Sequence, residues 1–153
     1  MVGIRKTSLV IGLGAALAVS TAYAQDSPLI GRWHWNQAQS TLPPGATAPK
    51  DVVSDISQAD GAVSWSVTIV TPDDQTQVMR FKAGAEPERV GRDTTAMARL
   101  SGDTLQAMFS GDAGQSDTLT CTVSANHEKM TCKGVLSDGK GHSVSYVDVY
   151  DKM

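Results

Sequence analysis

Metal ligands and runs of one charge are scarce in this chain, and each shortage excludes a class of function. There are two cysteines and three histidines in 153 residues, and no two histidines stand at the short spacing that puts two imidazoles on one metal ion. No metal site and no cofactor are expected. His34 falls between two tryptophans on the opposite face of a strand, His127 in a tight turn and His142 at a strand start, all of which suit solvated surface. Beyond Arg5-Lys6 no two basic residues are adjacent, and acidic residues outnumber basic ones by 16 to 13. That sign and scatter argue against a phosphate-binding face, so no nucleic-acid partner is expected. No serine sits in a Gly-x-Ser-x-Gly elbow, and no glycine-rich loop precedes a helix. Asp73-Asp74 are neighbours in a turn and point apart into water. Asp148 interrupts the apolar end of the last strand and lies outside if Val147 and Val149 face the core. Nothing here makes an enzyme. A small hydrolase would need buried titratable groups lining a cleft, and it ranks last among the readings.

Long hydrophobic runs are also scarce, and the one present is at the start. Arg5 and Lys6 precede an apolar stretch from Leu9 to Val19, and Ala22-Tyr23-Ala24 supplies the small residues a signal peptidase reads. The stretch is well short of the ~20 residues that span a bilayer. Residues 1–24 therefore read as a signal peptide, and residues 25–153 as one mature domain, periplasmic or extracellular. The first cysteine is Cys121, so none stands at the cleavage site to take a lipid, and no membrane anchor is expected after cleavage.

What the chain does have is alternation. In Asp117 to Leu136, Leu119, Cys121 and Val123 interleave with Thr118, Thr120 and Thr122; on the return, Met130, Cys132 and Leu136 interleave with Lys129, Thr131 and Lys133. If Ser124 closes a turn against Lys129, Val123 faces Met130 and Cys121 faces Cys132. In an oxidising compartment that register makes a disulfide between Cys121 and Cys132.

The same period of two marks the rest of the mature chain. Gly31 to Asn36 sets Trp33 and Trp35 against Arg32 and His34; Lys50 to Gln58 follows a proline-rich crossing; Asp60-Gly61 makes a tight turn into Ala62 to Val70. Gln77 to Lys82 is a further strand, and Ala83 to Arg92, with Gly84, Pro87 and Gly91, reads as a long loop. Asp93 to Leu100, Thr104 to Ser110 and His142 to Asp151 complete the set. About eight or nine short antiparallel strands with few long crossings suit an all-β up-and-down barrel, or a strongly curved sheet, better than a β-sandwich, which is the runner-up.

Gly31-Arg32-Trp33 resembles the Gly-x-Trp opening of the lipocalin and wider calycin barrels. The resemblance implies a tryptophan closing one barrel end, a role for Trp33, covered by an arginine from the last strand; here that strand offers only Lys152. More of the mature chain is similar to a group of secreted bacterial lipocalin-like β proteins with a G-x-W-x-L-N-x-x-x-S opening. Trp33, Asn36 and Ser40 match it, with Trp35 in place of leucine, and Asp138-Gly139-Lys140 and Val149-Tyr150-Asp151-Lys152 match the end of those chains. The likeness implies fold and export and carries no activity with it.

A barrel of this size is either filled by side chains or holds one small ligand. The bulky inward candidates, among them Trp33, Trp35, Val63 and Leu105, favour filling, while Thr95, Ala96, Ala98 and Ala107 leave room for a gap. The leading expectation is an exported, non-enzymatic binding protein with a small apolar ligand held by Trp65, Phe81, Met97 and Phe109. The alternative is an envelope interaction or inhibitor protein, with a filled barrel, acting through its surface.

Overall fold

Strand-forming alternation from end to end produces one continuous antiparallel sheet. The computed structural model describes residues 26–153, and the signal-peptide reading of residues 1–24 lies outside them. The strands are β1 (Gly31–Trp35), β2 (Asp51–Ala59), β3 (Ala62–Val70), β4 (Thr76–Ala83) and β5 (Glu88–Arg89). They continue as β6 (Thr95–Ser101), β7 (Thr104–Ser110), β8 (Ser116–Val123), β9 (Lys129–Ser137) and β10 (Ser143–Lys152). Their order is β4-β3-β2-β1-β10-β9-β8-β7-β6-β5, an up-and-down meander whose first strand pairs with its last. This is a nearly closed barrel, not two packed sheets. The strand missing from the sequence reading is β5, two residues inside the segment read as a loop; two residues are too few to show a period.

Local chemistry sets the turns. Asp60 and Gly61 have φ of 52° and 76°, the double positive φ of a two-residue hairpin turn, and Ala59 pairs Ala62 across it. Ser124 and Lys129 close the β8–β9 turn through the Lys129 carbonyl, and Val123 pairs Met130. Cys121 then stands opposite Cys132, and the two form a disulfide. Leu119, Val123 and Met130 are buried while Thr118, Thr122 and Lys133 are exposed. Leu136 shares the inward face but lies beyond the core and is 36% exposed.

Packing is uneven along the barrel. At one end Leu29, Trp33, Val63, Leu105 and Met130 are all 0% exposed. The lead-in before β1 plugs this end: the Trp33 indole donates to the Leu29 carbonyl at 2.8 Å, and Ser27 Oγ to the Gly102 carbonyl at 2.5 Å. Lys152 supplies the cover that the lipocalin likeness assigns to arginine. Its Nζ lies 4.1 Å from the Trp33 ring centroid and donates to the Ile30 carbonyl at 2.8 Å. An ammonium on a long stem does the work of a guanidinium here, which residue type alone did not reveal.

The seam between β1 and β10 gathers the residues of the lipocalin-like opening and tail. Asn36 donates to Asp151 at 2.7 Å, and Asp151 also accepts from Lys129 of β9. Ser40 Oγ accepts from the Val149 N–H at 2.9 Å and donates to the Asn36 carbonyl at 2.8 Å. Thr41 then bridges Val147. The segment after β1 thus runs beside β10 and pairs with its backbone beyond the end of β1.

Candidate functional site

The ladder register reverses the expected orientation of β10: Tyr150 stands opposite inward Trp35 and Met130, and Asp148 opposite inward Cys132. With Val147 and Val149 turned outward, the alternate residues Tyr146, Asp148 and Tyr150 turn inward. Asp148 is therefore not outside. It accepts a hydrogen bond from the Trp35 indole at 3.0 Å and lies on the wall of a cavity of about 490 Å³. The interior is not filled, and the cavity occupies the end of the barrel away from Trp33. Along β3 the inward residues grade from fully buried Val63 through Trp65 to half-buried Val67 and Ile69; along β7 they grade from Leu105 through Ala107 to Phe109.

Most of the wall is apolar. Trp65, Val67 and Ile69 come from β3, Met79 and Phe81 from β4, and Phe109 and Leu119 from β7 and β8. The Trp65 indole donates to buried Ser54 at 2.5 Å, which fixes the ring. Phe81 lies 5.5 Å from Trp65 and 4.7 Å from Phe109, nearly perpendicular to the latter. This aromatic contact spans the one place where the barrel lacks a ladder, between β4 and β6, where a single backbone bond runs from Ala98 N–H to the Gly84 carbonyl. Val90, Gly91 and Thr94 complete the wall beside this opening, and Met79, 52% exposed, stands at its edge.

Three of the four residues expected to hold a ligand, Trp65, Phe81 and Phe109, are thus brought together on one wall. Met97 is not. It alternates with inward Ala96 and Ala98 and pairs Met108 on the outer face of the sheet, so its placement in the cavity is corrected. The small side chains Ala96, Ala98 and Ala107 are themselves buried.

The polar floor was not legible. Tyr146 reaches across β9 to β8, where its hydroxyl donates to the Asp117 carboxylate at 2.9 Å and 3.0 Å to its two oxygens. Gly134 makes that reach geometrically open, since a Cβ there would sit 2.0 Å from Tyr146 Cζ. A glycine inside an otherwise regular strand was the available signal, because such a residue marks a close approach of another group. Burial raises the pKa of Asp117 against the lowering effect of the Tyr146 bond. Burial likewise raises Asp148, opposed by the Trp35 bond and reinforced by the charge of Asp117. The Tyr146 hydroxyl is pushed up by burial and by Asp117, and that of Tyr150 by burial and by Asp148. Partly buried titratable groups thus line the cleft, which the sequence did not reveal, but no histidine, serine or free cysteine stands among the described lining residues to act with them as a nucleophile or its base.

Replacing Gly134 with alanine should displace Tyr146 and strand Asp117 without its donor. We expect a loss of about 1–3 kcal/mol in urea unfolding. In a Tyr146→Ser background the same substitution should cost almost nothing, and equal losses in both backgrounds would show that the ring is not what Gly134 accommodates.

Surface chemistry is sparse. His34 pairs Asp51 at 2.6 Å and His142 pairs Asp138 at 2.9 Å, both exposed. Among the described residues no group of three His, Cys, Asp or Glu side chains converges on a metal position, and no helix is long and apolar enough to cross a membrane.

No family model matches the chain, and no curated protein matches it in sequence. Solved structures do match in shape. A fatty acid-binding protein from the brain of Drosophila melanogaster superposes with a TM-score of 0.54 at 15% identity, covering 80% of this chain and 98% of that one. A Schistosoma mansoni fatty acid binding protein in complex with arachidonic acid gives 0.56 at 11% identity, covering 83% and 97%. A zebrafish ileal bile acid-binding protein complexed with cholic acid gives 0.51 at 15% identity, covering 83% and 100%. In fold, the chain is similar to the lipid-binding barrels of the calycin type.

Proposed function

We propose that the protein is an exported, non-enzymatic carrier that holds one small apolar molecule inside its barrel. The observation that carries this reading is the cavity of about 490 Å³, within the range of small-molecule sites and lined mainly by apolar and aromatic side chains. A surface-acting protein with a filled barrel would have no reason to leave it. The fold neighbours that bind arachidonic acid and cholic acid support an apolar ligand class. Export is supported by the leader at residues 1–24 and by the Cys121–Cys132 disulfide, which is at home in an oxidising compartment.

Titration of the purified, oxidised protein with the uncharged dye Nile red tests the reading. Saturable fluorescence enhancement with one site per chain is expected, and Phe109→Ala should weaken it by roughly tenfold, the equivalent of losing one well-packed aromatic contact. A linear, non-saturating response would overturn the proposal.

A further inference from the structure

The polar side chains of the cavity are mostly acidic or hydroxylic, with the hydroxyl of Thr94 and one guanidinium, that of Arg80, beside the four groups of the polar floor. Asp117 on β8 and Asp148 on β10 are carboxylates, and Tyr146 and Tyr150 on β10 are hydroxyls. Among the described residues the only cation on the wall is Arg80, which belongs to the outward set of β4 with Val78 and Lys82 and also borders a groove on the outside of the sheet. β3, β7 and β9 bring no charged group to this cavity, and neither does the Val90–Thr94 segment.

The internal bonds do not use these groups up. Trp35 engages one oxygen of Asp148 and leaves the other unpartnered among the described residues. Among the described residues Tyr146 is the single side-chain donor to Asp117. Tyr150 is 7% exposed, and its hydroxyl has no hydrogen-bond partner among the described residues while its side chain lines the cavity. The Tyr150 side chain is thus largely buried, but its hydroxyl is not sealed from solvent, so a ligand atom entering the cavity can reach it.

We infer that the ligand is an apolar molecule carrying a protonated amine, seated between Asp148, Asp117 and the Tyr150 hydroxyl, and that a carboxylate head is disfavoured. This rests on the carrier reading and adds the chemistry of the head group. An ammonium brings donors that both carboxylates and the tyrosine oxygen can accept, and charge-assisted bonds of this kind are the strong ones. A carboxylate would place a third negative charge against two in a partly desolvated site, where like charges repel more than in water. The two aspartates titrate above the ordinary carboxylate value because burial disfavours their charge, and a bound cation acts in the opposite sense.

Displacement of Nile red by dodecylamine, dodecanol and dodecanoate near neutral pH tests the inference. The amine should bind roughly tenfold or more tightly than the other two. Its advantage should fade on acidification as Asp117 and Asp148 take up protons, and it should vanish in the D117N/D148N variant. Tyr150→Phe should leave the melting temperature unchanged and weaken the amine several-fold, an effect no purely structural hydroxyl would have. Dodecanoate binding as well as the amine, dodecanol matching it, or no displacement by any of the three would overturn the head-group inference while Nile red binding stands. Failure of Nile red itself would remove the carrier reading and this one with it.

Discussion

Replacing Trp33 with alanine should destabilise the protein by about 3–5 kcal/mol in chemical denaturation, the largest loss at any single position. Trp33 is 0% exposed, so the change removes a whole indole from the packed end of the barrel. Two further contacts go with it: the indole N–H that anchors Leu29 at 2.8 Å, and the ring over which Lys152 sits at 4.1 Å. Trp33→Phe should recover most of the packing and lose only the N–H bond, leaving a deficit of about 1–2 kcal/mol. A loss below about 1 kcal/mol for the alanine variant would mean that the plug before β1 is dispensable.

The second large effect should come from the disulfide. Cys121 and Cys132 are 11 residues apart, and in the chain-entropy picture a loop of that length contributes about 3 kcal/mol. Both residues are buried, at 0% and 3% exposure, so alanine is the appropriate replacement because serine would add unpaired hydroxyls. For a domain of this size the double variant should melt roughly 10 °C lower by calorimetry while keeping its β-sheet circular dichroism. An unchanged melting temperature on reduction would show that the ladder between β8 and β9 needs no covalent support.

These two sites were legible in the sequence for the same reason: they follow from alternation within single strands. Trp33 and Trp35, Leu119, Cys121 and Val123, and Met130 and Cys132 take the faces that a period of two assigns them. Three of the four expected cavity residues were also within reach, because Trp65, Phe81 and Phe109 are inward by local register. What alternation cannot supply is which of its two faces a strand turns inward. β10 has valines on one side and Tyr146, Asp148 and Tyr150 on the other, and either could be inside by hydrophobicity alone. The choice is made by pairing, where Tyr150 stands opposite Trp35 of the distant β1 and Asp148 opposite Cys132. The acidic floor of the cavity was hidden behind that choice. Met97 differs: it alternates with inward Ala96 and Ala98, so its parity turns it to the outer face opposite Met108.

The seam between β1 and β10 has a consequence for how the molecule is made. All other neighbouring strands are consecutive in the chain, so their hairpins can form as soon as both arms exist. β1 and β10 pair Trp33 with Lys152 and Trp35 with Tyr150, across nearly the whole described length. Such distant partners are slow to find one another. During vectorial synthesis, β1 must wait with its tryptophans unburied until the final strand emerges. The time spent waiting is when the chain is most exposed to aggregation and proteolysis, and shortening the C-terminus by even the four residues from Tyr150 should leave a ribbon of hairpins that never closes.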